Sequence, residues 1–341
     1  MKSEIITTYP ELLLEQKWFD FMPVSTYPSH YTSPGFFKEP FWINQNPFAV
    51  LVLDEEKIIG VATGLKKGKQ IVCGLDSRPQ ISISKHADRK EIIKILADGL
   101  LNLAGNEAEL LTVHCAEQIK EFTELGFCEK KATGASKVLV LDLTKGADAV
   151  FRNFSQSRRS DLRKAMRENQ VEISQIETEG ELAELYKIHV AWCERKQIVP
   201  DTWEMMQTIF ANRDYHRIFI AKHNGKVIAG SYFRFYPKGI FEYTANNSMP
   251  EYQNLRPNDL LVWKSIEWAC EQGFSLYSLG GSHLFLRRFG GFEVSGYRYQ
   301  LDRTFLKKYE RKESFRDFAI KTYQSLPISA KQTIKRIAGR N

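Results

Sequence analysis

The sequence predicts an α/β protein, mixed α+β in detail, built of two domains in tandem. Each is expected to be a mixed, mostly antiparallel sheet flanked by helices, and a basic helical tail follows. Three observations lead there. The chain has 341 residues, more than one domain usually holds. Each half contains both short apolar strand-like runs and longer runs with helical spacing. The order of those runs in the first half recurs in the second, and two landmarks, Ile58 with Val227 and Gly126 with Gly291, recur at nearly one offset. The expected division is 1–145, 146–304 and a tail over 305–341.

The stretch to Pro47 is aromatic and irregular, with Tyr27, Tyr31, Phe36, Phe37, Phe41 and Trp42 set among prolines. A loop this aromatic is expected to pack on the core, with a lid over a cleft as the other reading. Ala49–Leu53 and Ile58–Ala62 then form a hairpin around Asp54–Lys57. A third strand is expected over Gln70–Gly74. A helix over Asp88–Ala104 places Ile92, Ile95, Leu96, Leu100 and Leu103 on one face. A strand over Glu109–Cys115, a short helix over Ile119–Leu125 and a last strand over Lys137–Leu143 close the first half.

Helices over Asp148–Glu168, Glu181–Lys196 and Thr202–Ala211 open the second half. The hairpin Arg217–Lys222 with Lys226–Phe235 turns at His223-Asn-Gly225. A strand over Ile240–Asn246 follows. Pro257 suits the first turn of a helix, where its missing N–H costs nothing, and Asn258 or Asp259 is placed to cap it. That helix carries Val262, Trp263, Ile266 and Ala269 on one face, with Leu261 and Trp268 nearly opposite. It is therefore expected to be buried on two sides. Gly273 ends it, Ser275–Leu279 is a short buried strand, and Gly280-Gly281 and Gly290-Gly291 are turns.

The tail is basic, with Lys307, Lys308, Arg311, Lys312 and Arg316, then Lys331, Lys335, Arg336 and Arg340. Phe315, Phe318, Ala319 and Tyr323 stand at helical spacing, as do Ile328, Ile334 and Ile337. Such a helix either lies on an anionic membrane surface or docks, solvated, on the protein.

The net charge of +7 favours polyanionic partners such as tRNA, sugar nucleotides or anionic lipid. No apolar run is long enough to span a bilayer, and the first residues lack the apolar core of a signal peptide. The five scattered cysteines have neither disulfide-framework nor zinc spacing. The expected location is cytoplasmic, with peripheral association at the inner face of the membrane through the tail. There is no nucleophile elbow, phosphate loop or His-Glu-x-x-His motif, and the histidines show no ligand spacing, so no metal is expected.

Pro257-Asn258, a helix, Gly273, a strand, Gly280-Gly281 and Phe285-Leu-Arg-Arg-Phe-Gly290 follow one another in an order that resembles the C-terminal domain of Fem-type transferases. These are aminoacyl-tRNA-dependent enzymes of peptidoglycan cross-bridges, related to the GNAT acyltransferases. Asp161-Leu-Arg-Lys-Ala-Met-Arg167 and Tyr243-Thr-Ala-Asn246 extend the likeness, which covers about residues 148 to 300. It implies two tandem GNAT-like domains and transfer of an aminoacyl or acyl group to an amine, or a hydroxyl, of a cell-envelope or polysaccharide precursor. The donor would be aminoacyl-tRNA or acyl-CoA, with no tightly bound cofactor, and the acceptor would bear phosphate.

The resemblance also names site residues. Tyr243 is the candidate catalytic residue, to orient or deprotonate the nucleophile. Arg159, Arg163, Arg195, Asn246, Asn258, Arg287 and Arg288 are candidates for substrate binding, the arginines because their planar fork suits phosphate. Two positions depart from the family pattern: Leu286 stands where a lysine is common, and Ser278 where an acidic residue is. The usual coenzyme A pyrophosphate signature is absent, which shifts weight to another donor. Two other readings stay open, a coenzyme A-dependent N-acetyltransferase and a non-catalytic module that binds tRNA or sugar nucleotide.

Overall fold

The structure is a computed structural model that describes residues 1–42, 45–75, 78–130, 137–237 and 239–325. Strand β1 (Lys2–Ile6) and helix α1 (Leu12–Phe21) precede a run of short 3-10 turns between Met22 and Trp42. The predicted hairpin is β2 (Pro47–Asp54) and β3 (Lys57–Lys67), followed by β4 (Gln70–Cys73) and β5 (Ile81–Ile83). Helix α2 (Arg89–Ala104) begins where the Asp88 carboxylate accepts the N–H of Lys90 at 2.9 Å. Next come β6 (Leu110–Cys115), α3 (Glu121–Glu124), β7 (Cys128–Lys130) and β8 (Lys137–Asp142).

The second half starts with α4 (Ala147–Arg152) and α5 (Gln156–Glu168). The sequence suggested one helix here. Ser155 breaks it, because its hydroxyl caps the N–H of Arg158. Then come β9 (Glu172–Gln175), α6 (Glu179–Lys196), α7 (Trp203–Ala211), β10 (His216–His223), β11 (Lys226–Phe235), β12 (Ile240–Ser248), α8 (Pro257–Glu271), β13 (Leu276–Ser278), α9 (Leu284–Arg287), β14 (Phe292–Ser295), β15 (Tyr297–Asp302) and α10 (Lys308–Ser325).

Among the described residues the strands form two sheets, each with a single parallel neighbour pair, β4 with β6 in one and β12 with β13 in the other. One correction concerns pairing. β8, expected to close the first sheet, lies in the second between β13 and β14. β15, from the far end of the second half, lies in the first sheet between β6 and β7. Each half thus lends a strand to the other. Strand pairing is non-local, and an apolar run such as Lys137–Asp142 reads alike in either sheet.

α8 is covered on two sides, by the second sheet and by α4 and α5, as its apolar girth requires. Its predicted cap differs. Neither Asn258 nor Asp259 caps the helix; the carboxylate of Asp259 pairs with buried Arg158 instead. Gly273 does end the helical stretch in the left-handed region, at φ +77°. The aromatic segment serves two purposes: Tyr31 and Phe36 are core residues, whereas Phe41 and Trp42 line a cleft. Among the described residues no helix is long and apolar enough to cross a membrane. The basic positions and isoleucines beyond Ser325 lie outside the described residues.

Candidate functional site

The site begins with two strands that part. β12 and β13 run parallel through three pairs, Ile240 with Leu276, Phe241 with Tyr277 and Glu242 with Ser278. β13 then stops, and the chain turns away at Gly280 (φ +68°), whose Cα lies so close to the Tyr243 carbonyl that no side chain fits. β12 continues to Ser248 with a bulge between Tyr243 and Ala245. Beyond Glu242, β12 therefore has no ladder to β13, and backbone groups on that side are left to meet something else.

On one face of this opening lies a cleft of about 700 Å³ between the two halves. Phe41 and Trp42 come from the first half, Trp192 from α6, and Tyr232, Ala245 and Asn247 from the second sheet. Arg78 reaches in from the first half, its Nε 3.1 Å from Glu242 Oε1 and its guanidinium over the Tyr31 ring. Lys67 adds an exposed ammonium at the rim.

His189 is held from both sides. Its Nε2 accepts the Asp201 N–H at 3.0 Å, so the proton sits on Nδ1, which donates to Asn247 Oδ1 at 3.1 Å. Cys193, one turn on, lies 3.6 Å from Nε2, and burial raises its thiol pKa, which disfavours a thiolate. The Asp201 carboxylate, partly exposed at the cleft edge, is the acidic group closest to this pair.

A buried cluster anchors the back wall. Arg234 forks the Glu39 carboxylate at 2.8 and 3.0 Å and donates to the Tyr31 hydroxyl at 3.1 Å. His30 bonds Glu39 at 3.0 Å, and His216 Nε2 stands 3.7 Å from it without a hydrogen-bond partner. Burial alone would raise the Glu39 pKa; the charge of Arg234 and the bond from His30 outweigh it and hold the carboxyl well below its usual range. The donor atoms of His30, Glu39 and His216 lie within 4.8 Å of one another, a metal-like grouping that sequence spacing does not reveal. Arg234 already supplies the cation this carboxylate faces, which works against a dication there.

None of the candidate site residues named from sequence lines this cleft. Tyr243 is packed in the core against Phe233, ring centroids 5.7 Å apart, and burial pushes its phenol well above the ordinary value. That keeps the phenol protonated, which does not suit a base. Asn246 shares that face of β12, away from the cleft. Asn258 donates to Ser248 Oγ at 3.2 Å, leaving its own Oδ1 buried and unpaired. Arg159 donates to the carbonyls of Arg152 and Phe154, and Arg163 lies exposed, 5.4 Å over the Phe151 ring. Arg287 meets Glu293 at 3.3 Å, and Arg288 meets Asp161 at 2.9 Å. Leu286 is in the core and carries no charge to any surface.

Arg195 lines a separate groove of about 740 Å³ with Lys187 and Lys226, its guanidinium 3.0 Å from the Ser248 carbonyl. Sequence reasoning missed Arg78, His189, Asp201 and Asn247. The one available signal was the aromatic Phe41-Trp42 pair, read chiefly as packing.

Residues 152–299 match the family model of the acetyltransferase (GNAT) domain. No curated protein matches the chain in sequence. Among solved structures, the chain is similar to FemX, with a TM-score of 0.72 at 13% identity over 89% of this chain and 98% of that one. It is also similar to the C-terminal domain of a putative lysylphosphatidylglycerol synthetase from Agrobacterium fabrum, at 0.57 and 11% over 86% and 92%. A tandem GNAT protein from the clavulanic acid biosynthesis pathway gives 0.52 and 11% over 89% and 99%. With the two sheets, their flanking helices and the parting of β12 from β13 described above, the chain has the Fem-type fold of two GNAT-like domains in tandem.

Proposed function

We propose that the protein is an acyltransferase that moves an aminoacyl or acyl group onto an amine, or a hydroxyl, of a phosphate-bearing cell-envelope or polysaccharide precursor. The observation that carries this reading is the parting of β12 from β13 beside a cleft with aromatic walls and free or half-paired cations. An activated ester or thioester needs alignment, a polarised carbonyl and a proton acceptor, and little else. Backbone N–H groups of β12 beyond Glu242 serve as the oxyanion donors. The acceptor lies in the cleft, its phosphate near Lys67 and Arg78, its rings against Trp42 and Trp192. As the acceptor's nitrogen or oxygen bonds the acyl carbon, the donor's ester or thioester bond breaks. Asp201, held in place by its bond to His189, takes the acceptor's proton through water, and the donor departs as the free hydroxyl or thiol with that proton. No tightly bound cofactor or metal enters the scheme. The proposed division is 1–145 and 146–304, each lending one strand to the other's sheet, with 305–341 as tail.

Aminoacyl-tRNA is favoured as donor over acyl-CoA. The first turn of α8 is a poor diphosphate cradle, because Pro257 has no N–H to offer and that of Asp259 already bonds the Arg256 carbonyl. The coenzyme A-dependent N-acetyltransferase is kept as second reading because the matched family model is an acetyltransferase domain.

The test is mass spectrometry of envelope precursors incubated with a panel of aminoacyl-tRNAs and acyl-CoAs. Transfer is expected with an aminoacyl-tRNA, and Arg78→Ala or Asp201→Asn should lower kcat/KM by about a hundredfold or more. Calorimetry with acetyl-CoA separates the two donors. Binding of tRNA or sugar nucleotide without turnover on any donor would replace the enzyme by a binding module.

A further inference from the structure

The start of α10 is tied to the body by its acidic side. The Asp302 carboxylate accepts the N–H groups of Thr304, Tyr309 and Glu310 at 3.0, 2.8 and 3.0 Å. The Tyr309 hydroxyl meets Glu109 at 3.0 Å, Glu313 pairs with Arg298, and Glu310 faces Lys130 at 3.9 Å. Tyr309, Glu310 and Glu313 fall within about 100° of arc on a helix wheel and form the inner face.

The other side of the wheel is Lys308, Arg311, Lys312, Phe315 and Phe318, every one exposed. Phe315 is 74% and Phe318 67% exposed, and just before the helix Phe305 is 91% and Leu306 58% exposed. Apolar side chains of this size stabilise by burial, at about 25 cal/mol per Å², so a cluster left in water calls for a cover. The cover must accept aromatic rings and cations together. Duplex nucleic acid would use the cations and leave the rings in water, and unpaired bases, which do stack on aromatic rings, would leave the aliphatic Leu306 uncovered. A second copy of this face would set like charges against each other. The headgroup zone of an anionic bilayer takes both.

We propose that the outer face of α10 and the Phe305-Leu306 turn dock this protein on an anionic lipid surface. The aromatic rings enter the acyl boundary and Lys308, Arg311 and Lys312 meet the lipid phosphates. This goes beyond the transfer reaction and does not depend on it. It also gives α10 a direction: acidic side to protein, basic aromatic side to lipid.

The experiment is co-sedimentation of the full chain with vesicles of phosphatidylcholine alone or mixed with phosphatidylglycerol. The expected result is binding to the anionic vesicles at least about tenfold tighter, weakened by salt. Phe315→Ser with Phe318→Ser, and separately the triple change of Lys308, Arg311 and Lys312 to Gln, should each lower the partition coefficient about tenfold or more. All five positions are exposed, so these variants should keep the wild-type melting temperature, which is measured alongside. Equal affinity for both vesicle types, or binding that survives both variants, would overturn the proposal. So would a concentration-dependent dimer that the Phe variant abolishes while vesicles are ignored.

Discussion

At the scale of single residues, this protein places charge where the sequence pattern does not announce it. Arg158 reads as one more cation on a basic helix, yet it is 1% exposed, paired with Asp259, donating to the Phe285 carbonyl and stacked over Phe289. Breaking such a pair costs more than the pair contributes, because one charge is left buried alone. His216 makes the same point with a proton. It is 2% exposed with Nε2 unpartnered, and burial pushes its pKa down to about 3, although Glu39 pulls the other way. The unfolded imidazole titrates at about 6.5, so below that pH the unfolded chain binds a proton that the folded one refuses. Stability should be full above that value and fall with pH toward the folded pKa. Between pH 6.5 and 5, where carboxylates stay largely ionised, His216 should account for a loss of about 2 kcal/mol. Urea unfolding at pH 7 and pH 5 should show His216→Gln with a pH dependence flatter by that amount. An unchanged slope would mean the buried imidazole is protonated in the fold.

At the scale of elements, the parting of β12 and β13 rests on backbone geometry. Gly280 holds φ +68° directly against the Tyr243 carbonyl. Ala at this position strains the backbone and collides with that oxygen, so Gly280→Ala should cost about 2 kcal/mol or more. It should also abolish transfer, since the opening cannot keep its shape. Gly273→Ala is the control: it has a similar positive φ and nothing within 4 Å of an added Cβ. It should lower stability while leaving turnover in place. Equal turnover in both variants would separate the opening from catalysis.

At the scale of the whole molecule, the exchange of β8 and β15 makes each sheet depend on the other half. The halves are further joined by Arg78 with Glu242 and Glu39 with Arg234. A fragment ending at residue 145 lacks the strand between β6 and β7, and a fragment starting at 146 lacks the strand between β13 and β14. Each leaves buried strand edges unpaired, which is costly. Expressed apart, both should be aggregated or without a cooperative melt, whereas co-expressed they should associate. The intact chain should unfold in one transition. Two independent melts would show that the exchanged strands contribute little.

The sequence by itself determined the local elements and their recurrence. Hairpins at Asp54–Lys57 and Asn224-Gly225, the helix from Pro257 to Glu271 and the turns at Gly273 and Gly280 follow from φ preferences and side-chain periodicity, which act within a few residues. A helix apolar on two sides also announced its double burial correctly. Only the tertiary structure decided which sheet receives Lys137–Asp142, which arginines are consumed in ion pairs, and where the cleft lies. Periodicity tells a strand which face to bury but not which neighbour to join. The cleft is assembled from Trp42, Arg78, His189 and Asn247, residues from separate elements of the two halves. No local rule connects positions so far apart along the chain; packing two sheets against each other does.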